Sequence, residues 1–123
     1  MKEITRIQHL WRYEKYHVMV HDYRYYIEIK ELIKQGADYL TIEQRIHDIL
    51  QTPIRHSAFV NTFQHLWGYF KNVATDEEMK SYLSYIEQLH HHHVSHQTCL
   101  IFIQNLTRKY QNPYLLHSAI MDL

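Results

Sequence analysis

The chain has one cysteine, two glycines and two prolines in 123 residues, and each scarcity excludes something. With Cys99 alone no disulfide can close within the chain, which fits a reducing compartment. A lone thiol also cannot supply a paired-cysteine zinc motif or hold a cysteine-ligated iron–sulfur cluster. So few glycines and prolines argue against a turn-rich β fold, because tight hairpins need those residues. There is no apolar run of about 18 residues, so no membrane span is expected. Residues 1–11 interleave charge with apolar side chains and lack the apolar stretch of a signal peptide. A cytoplasmic location is the expectation. Neither sign of charge is in excess: 13 basic residues face 13 acidic ones. A zero balance gives no global attraction to nucleic acid or to a membrane. Phosphate-cradling glycine loops, nucleophile elbows and dinucleotide fingerprints are all missing.

What is present is a chain of single-domain size, expected to fold as one unit over residues 1–123. Hydrophobic residues make up 46% of it, enough for one core and against disorder. Histidine is abundant, with twelve copies, and four of them form the run His90 to His93. Unperturbed imidazole titrates near pH ~6.5, so mild acid would make the chain cationic. Charge is uneven as well: Asp76, Glu77, Glu78 and Glu87 face only Lys80 over residues 75–87, leaving the remainder mildly basic.

Periodicity indicates an all-α, compact bundle of five to six helices. A first helix is expected over about residues 4–35, with Ile4, Ile7, Trp11, Val18, Tyr25, Ile29 and Leu32 near one stripe and Gly36 as its stop. A break near Asp22 would relieve its unusual length. Thr41 and Gln44 suggest a capping box opening a second helix that Pro53 ends. A third is expected over about residues 55–71, with Phe59, Val60, Phe63, Trp67 and Phe70 as its apolar face. Thr75 and Glu78 repeat the capping box before a fourth, with Met79, Tyr82, Leu83 and Ile86 turned inward. A fifth spans about residues 96–110 around Leu100, Phe102, Ile103 and Leu106. Asn112 and Pro113 then open a short last one bearing Leu115, Leu116 and Ile120.

Two polar sets interrupt these stripes. Glu14, His17 and His21 share a face of the first helix, and Asn61, His65 and Gly68, with Gln64 beside them, share a face of the third. Gly68 costs a helix roughly 1 kcal/mol relative to alanine, a cost best explained where a backbone or a ligand approaches closely. If the two helices pack, these residues either satisfy one another in a core or line a ligand pocket. Glu14, His21 and His65 would be its acid–base groups. His17 and His21 have the spacing of two zinc ligands, but residue 18 is valine rather than the glutamate of a metalloprotease helix. No metal and no cofactor are therefore expected. Eleven tyrosines occur. Tyr13, Tyr16, Tyr23, Tyr25 and Tyr26 crowd the first helix among Arg12, Lys15 and Arg24. Such rings either pack at helix interfaces or stack on bases beside phosphate-binding cations. Cys99 sits in an apolar stretch with no acid–base neighbour, as an inert thiol would.

Three segments resemble a known family: Lys15-Tyr16-His17-Val18-Met19-Val20-His21, Asn61-Thr62-Phe63-Gln64-His65-Leu66-Trp67-Gly68-Tyr69-Phe70-Lys71, and Pro113-Tyr114-Leu115-Leu116. In order and spacing they are similar to the YbgA-like domain, over about residues 14–121. Glu14 stands where that family usually has histidine, Asp22 replaces a common serine and Lys30 a common glycine. The His90 to His93 region falls where a loop glycine is typical. The resemblance implies a helical domain of uncharacterised function, found alone or behind a thiouracil-desulfurase-like domain, where it is thought to aid tRNA binding. Desulfuration by this chain alone is not expected. The resemblance favours a non-catalytic binding module for tRNA or other structured RNA. Arg12, Lys15, Arg24 and Lys71 would lie on phosphates, with Tyr16, Tyr69 or His65 on a base or ribose. The alternatives are a small-molecule or metal-dependent enzyme using the Glu/His pocket, and a structural domain that forms a homodimer or docks a protein partner.

Overall fold

The computed structural model describes all 123 residues. Six α-helices are followed by two short 3₁₀ turns: α1 (Glu3–His21), α2 (Tyr23–Lys34), α3 (Tyr39–Leu50), α4 (His56–Trp67), α5 (Asp76–His90), α6 (His96–Tyr110), then Leu115–His117 and Ala119–Asp122. No strand is present, as the scarcity of turn residues implied.

The long first helix is in fact two, and the break falls at Asp22. Asp22 is extended (φ −169°, ψ 132°), and its carboxylate accepts the Arg24 backbone N–H at 2.9 Å, capping α2. An aspartate competes for backbone donors in this way, so it opens a helix more readily than it continues one. At the other end of α2, Gly36 takes φ +82°. Ala37 N–H reaches the Leu32 carbonyl at 3.0 Å and Gly36 N–H reaches that of Ile33 at 3.1 Å, a Schellman ending.

The Thr41–Gln44 capping box does not form. Asp38, further upstream, accepts from Thr41 N–H at 2.9 Å and starts α3 at Tyr39, while Gln44 reaches forward to Asp48. A carboxylate is the stronger cap, so it won over the hydroxyl. The Thr75–Glu78 box does form, with both reciprocal bonds, at 2.8 and 3.1 Å. α4 stops at Trp67, earlier than its periodicity suggested, and Gly68 to Val73 continue as turns. Gly68 has φ −53°, and a Cβ there would meet the His65 carbonyl oxygen of its own preceding turn at 3.0 Å. The glycine therefore accommodates a tightened helix end. Neither a second helix nor a cavity explains it.

α1 is the central element, packed on α2, α3 and α4. Its Ile7 and Val18 join Ile29, Ile42, Ile46 and Ile49 in one apolar cluster. Its Tyr16, Met19 and Val20 join Phe59, Phe63, Leu66, Trp67, Phe70, Leu89, Ile103, Leu106, Leu115 and Ile120 in the other. The core thus has two halves astride α1, and burying each large side chain contributes about 1.5–3 kcal/mol. α5 is rotated from its expected orientation. Met79 and Leu83 lie on its outer side, Leu83 56% exposed, and Tyr82, Tyr85, Ile86 and Leu89 pack inward. No helix is long and apolar enough to cross a membrane.

Candidate functional site

The break between α1 and α2 brings the buried Asp22 carboxylate up to the start of α4. There it accepts Arg24 Nη2 at 2.9 Å and Arg55 Nη1 at 3.1 Å. Hydrogen bonds from Arg24, with a further one from Arg55, outweigh burial and hold Asp22 well below the usual carboxylate range. Its own side chain is 7% exposed, whereas those of Arg24 and Arg55 are 82% and 58% exposed. One fixed negative charge therefore positions two guanidiniums, whose outer N–H groups face water. The local balance is one net positive charge.

An open cavity of about 360 Å³ lies beside this cluster, lined by Asp22, Tyr23, Arg55, Ser57, Asn61 and His65. Asn61 and His65, four residues apart on α4, share its wall because one helical turn stacks them. Tyr23, the first residue of α2, is 42% exposed. Arg55 is the N-cap of α4 but offers no side-chain cap, so the first N–H groups of α4 have no capping side chain at the end where Ser57 and Ala58 line the cavity. A second hollow of about 240 Å³ lies across the Asp22–Arg55 wall and is lined by His21, Arg24, Tyr25, Thr52 and Pro53 as well.

The polar set of the first helix runs contiguously along α1 but does not open onto one hollow. His21 is buried and its Nδ1 stands 2.8 Å from the Thr52 carbonyl oxygen. A carbonyl only accepts, so Nδ1 carries the proton. Burial lowers the pKa of His21 below the ordinary imidazole value, against the pull of that hydrogen bond. Glu14 lies on the same face of α1 as Ile7 and Val18, with Oε2 buried and without a hydrogen bond; His17 Nδ1 is 3.4 Å away. Glu14, His21 and His65 line no common cavity. His17 and His21 have ring centres 5.7 Å apart, and no group of three His, Cys, Asp or Glu side chains is arranged to hold a metal ion. Gln64 and Gly68 are exposed beyond the cavity.

The tyrosine–cation set divides between two places. Arg12 and Lys15 rest on the Tyr114 ring, their charged atoms 4.9 and 5.0 Å from its centre, and Tyr69 stacks on the same ring at 5.9 Å. Tyr16 lies beneath them, buried, with its hydroxyl 2.6 Å from that of Tyr69. Arg24 is bound to Asp22 and lines the second hollow, and Lys71 is exposed on the turn after α4. Cys99 is buried, which pushes its thiol up to about 11.

Sequence reasoning reached Asn61 and His65 but missed Tyr23, Ser57 and Arg55 as their companions. The available signal was Asp22, a strong helix cap inside an apolar stripe, because a break there turns the next residues toward a neighbouring helix. The family model described as "Protein of unknown function (DUF1722)" matches residues 15–123. No curated protein and no solved structure matches the chain.

Proposed function

As the chain belongs to the DUF1722 family of unknown function, we propose from its geometry that it is a non-catalytic binding module whose cavity at the α1–α2 break takes the phosphate backbone of a structured RNA such as tRNA. One observation carries the reading: one buried carboxylate fixes two exposed guanidiniums between two adjoining hollows, with Arg55 on the wall of both and Arg24 on the second, and the first also presents Tyr23, Asn61 and His65. Guanidiniums match phosphate oxygens in pairs, and the unsatisfied start of α4 adds N–H donors of the same preference. Tyr23 offers a ring face for a base or ribose, and Asn61 and His65 offer hydrogen bonds to its edge. The resemblance to domains that accompany thiouracil-desulfurase-like partners points to the same ligand class.

Zero net charge does not oppose this reading once charge is located. Three acidic residues occupy the first turn of α5, where they favour the helix dipole, while Asp22, Arg24 and Arg55 leave one net positive charge at the α1–α2 break. Binding would be local and sensitive to salt. Filter binding with tRNA at low salt tests it: affinity should be tighter than about 100 µM and fall steeply as salt rises. Absence of salt-sensitive binding in that range overturns the proposal. The acid–base enzyme gains no support from the placement of its residues, since Glu14 lines neither hollow, His21 lines only the second and His65 only the first.

A further inference from the structure

Three histidines that play no part in the cavity meet on the far side of the α4 start. His56 opens α4, His96 opens α6, and His92 lies in the turn between α5 and α6. His56 Nε2 is 2.8 Å from the Leu89 carbonyl oxygen, and His56 Nδ1 is 2.9 Å from His96 Nε2. The His92 ring lies over His56 at 4.1 Å between centres, and Phe59 stacks on His96 at 4.1 Å with planes 15° apart. His92 holds φ +55°, a left-handed conformation unusual for a residue with a side chain, so the turn keeps this shape only while its contacts hold it.

The hydrogen bonds fix the protons. Leu89 supplies a carbonyl, so His56 Nε2 must donate. A neutral His56 then has only a lone pair on Nδ1, and His96 Nε2 must donate to it. One added proton can be accommodated, on the outer nitrogen of His96, without changing this contact. A second can go only to His56 Nδ1, where an N–H would face an N–H across 2.9 Å. The contact therefore tolerates one charge on the pair and not two.

We propose that the His56–His96 pair, covered by His92, is an acid-released latch that fastens the α5–α6 turn to the start of α4 while at most one of the two rings is charged. The surroundings offer little to compensate a second charge. From α4 the pair is faced by His56 itself, with the Arg55 guanidinium next in the chain committed to Asp22. From α5 and its turn come His90, which borders the same small cavity as His56, and His92. The carboxylate of that segment, Glu87, is bound to His91 at 2.9 Å. Burial, then the charges of His56 and His92, lower the pKa of His96, in keeping with a pair that resists protonation while closed. The latch stands whether or not the cavity binds RNA.

Amide hydrogen exchange across pH tests it on the intact chain. The reporters are His92 N–H and His93 N–H, which bond to the carbonyls of Leu89 and Gln88 at 3.1 and 2.8 Å. Their protection factors should hold steady above about pH 6.5 and then decline, approaching tenfold per pH unit where the open turn binds one more proton than the closed one. In His96→Gln the amide can donate to a neutral His56 and turn its oxygen to a charged one, so protection should become flat with pH. His56→Gln, which makes the same exchange from the other side, serves if the first variant does not fold. Unchanged protection in the parent chain down to pH 5, or the same acid decline in the folded glutamine variant, overturns the latch.

Discussion

The hydroxyls of Tyr16 and Tyr69 stand 2.6 Å apart, one ring buried in the core and the other at its edge. The two rings meet edge to face at 6.1 Å. Burial first, and the Tyr69 hydroxyl second, raise the Tyr16 pKa far above its usual value, so Tyr16 stays neutral. The asymmetry of burial makes the two deletions unequal. Tyr69→Phe strands the Tyr16 hydroxyl away from water and should cost about 1–3 kcal/mol, the cost of an unsatisfied buried group. Tyr16→Phe leaves the half-buried Tyr69 hydroxyl able to reach solvent and should cost only about 0.5–1.5 kcal/mol. Urea unfolding of both single variants and the double variant measures the difference. Equal losses would show that the Tyr16 hydroxyl finds another partner.

Asp22 carries two duties, as cap of α2 and as anchor of Arg24 and Arg55. Asp22→Asn can still cap, whereas Asp22→Ala removes the cap as well, so alanine should be the worse by about 0.5–2 kcal/mol. The pH dependence follows from the depressed pKa. The unfolded carboxyl takes up a proton first as pH falls, so the stabilisation is complete above the ordinary value of 3.8 and is lost as pH drops through the lower folded value. Acid unfolding curves of Asp22→Asn should therefore be shallower than those of the parent chain at the low end. Superimposable curves would mean that Asp22 ionises alike in the folded and unfolded states.

His21 works near neutrality. Its folded pKa is lowered, chiefly by burial, so the unfolded ring charges first as pH falls. Stability is complete above about 6.5, the unfolded imidazole value, and declines as pH falls toward the folded one. His21→Gln removes this titration and can still donate to the Thr52 carbonyl. The urea midpoint of that variant should change less between pH 7 and 5.5 than the parent's. An identical decline would place the acid sensitivity elsewhere in the chain.

How far the sequence could be read varied with the range of the interaction. Helix existence came from local periodicity, and Phe59, Phe63, Trp67 and Phe70 are all buried on the face it marked. The Thr75–Glu78 box was legible because both partners lie within one turn. The Thr41–Gln44 box was a wrong reading of the same kind, since local pattern does not rank Asp38 against Thr41. The cavity needed more. Asn61 and His65 share a face by spacing alone, but Arg55 joins Asp22 only because α1 and α4 pack with the break beside the α4 start. Glu14 shows the converse. Helical spacing grouped it with His21, yet spacing along one helix does not say which side chains open onto a hollow, and here His21 borders one while Glu14 borders neither.

The two cationic places can be separated by salt dependence. Arg55 projects into solvent at the cavity, and its only protein ion pair is with Asp22. Arg12 is spent on the Tyr114 ring and on the Pro113 carbonyl at 3.2 Å. If phosphate sits at the cavity, Arg55→Ala should lower tRNA affinity several-fold at low salt and reduce the slope of log affinity against log salt by about 0.7–0.9. Arg12→Ala should leave that slope nearly unchanged. Because Arg55 is exposed, its removal weakens a partly solvated ion pair and should cost the fold less than about 1 kcal/mol, so lost binding cannot be blamed on unfolding. Titrations of both variants at several salt concentrations decide the matter. If Arg12→Ala takes the larger share of the slope, the phosphate contacts belong to the Tyr69–Tyr114 face and the cavity at the helix break is not where RNA sits.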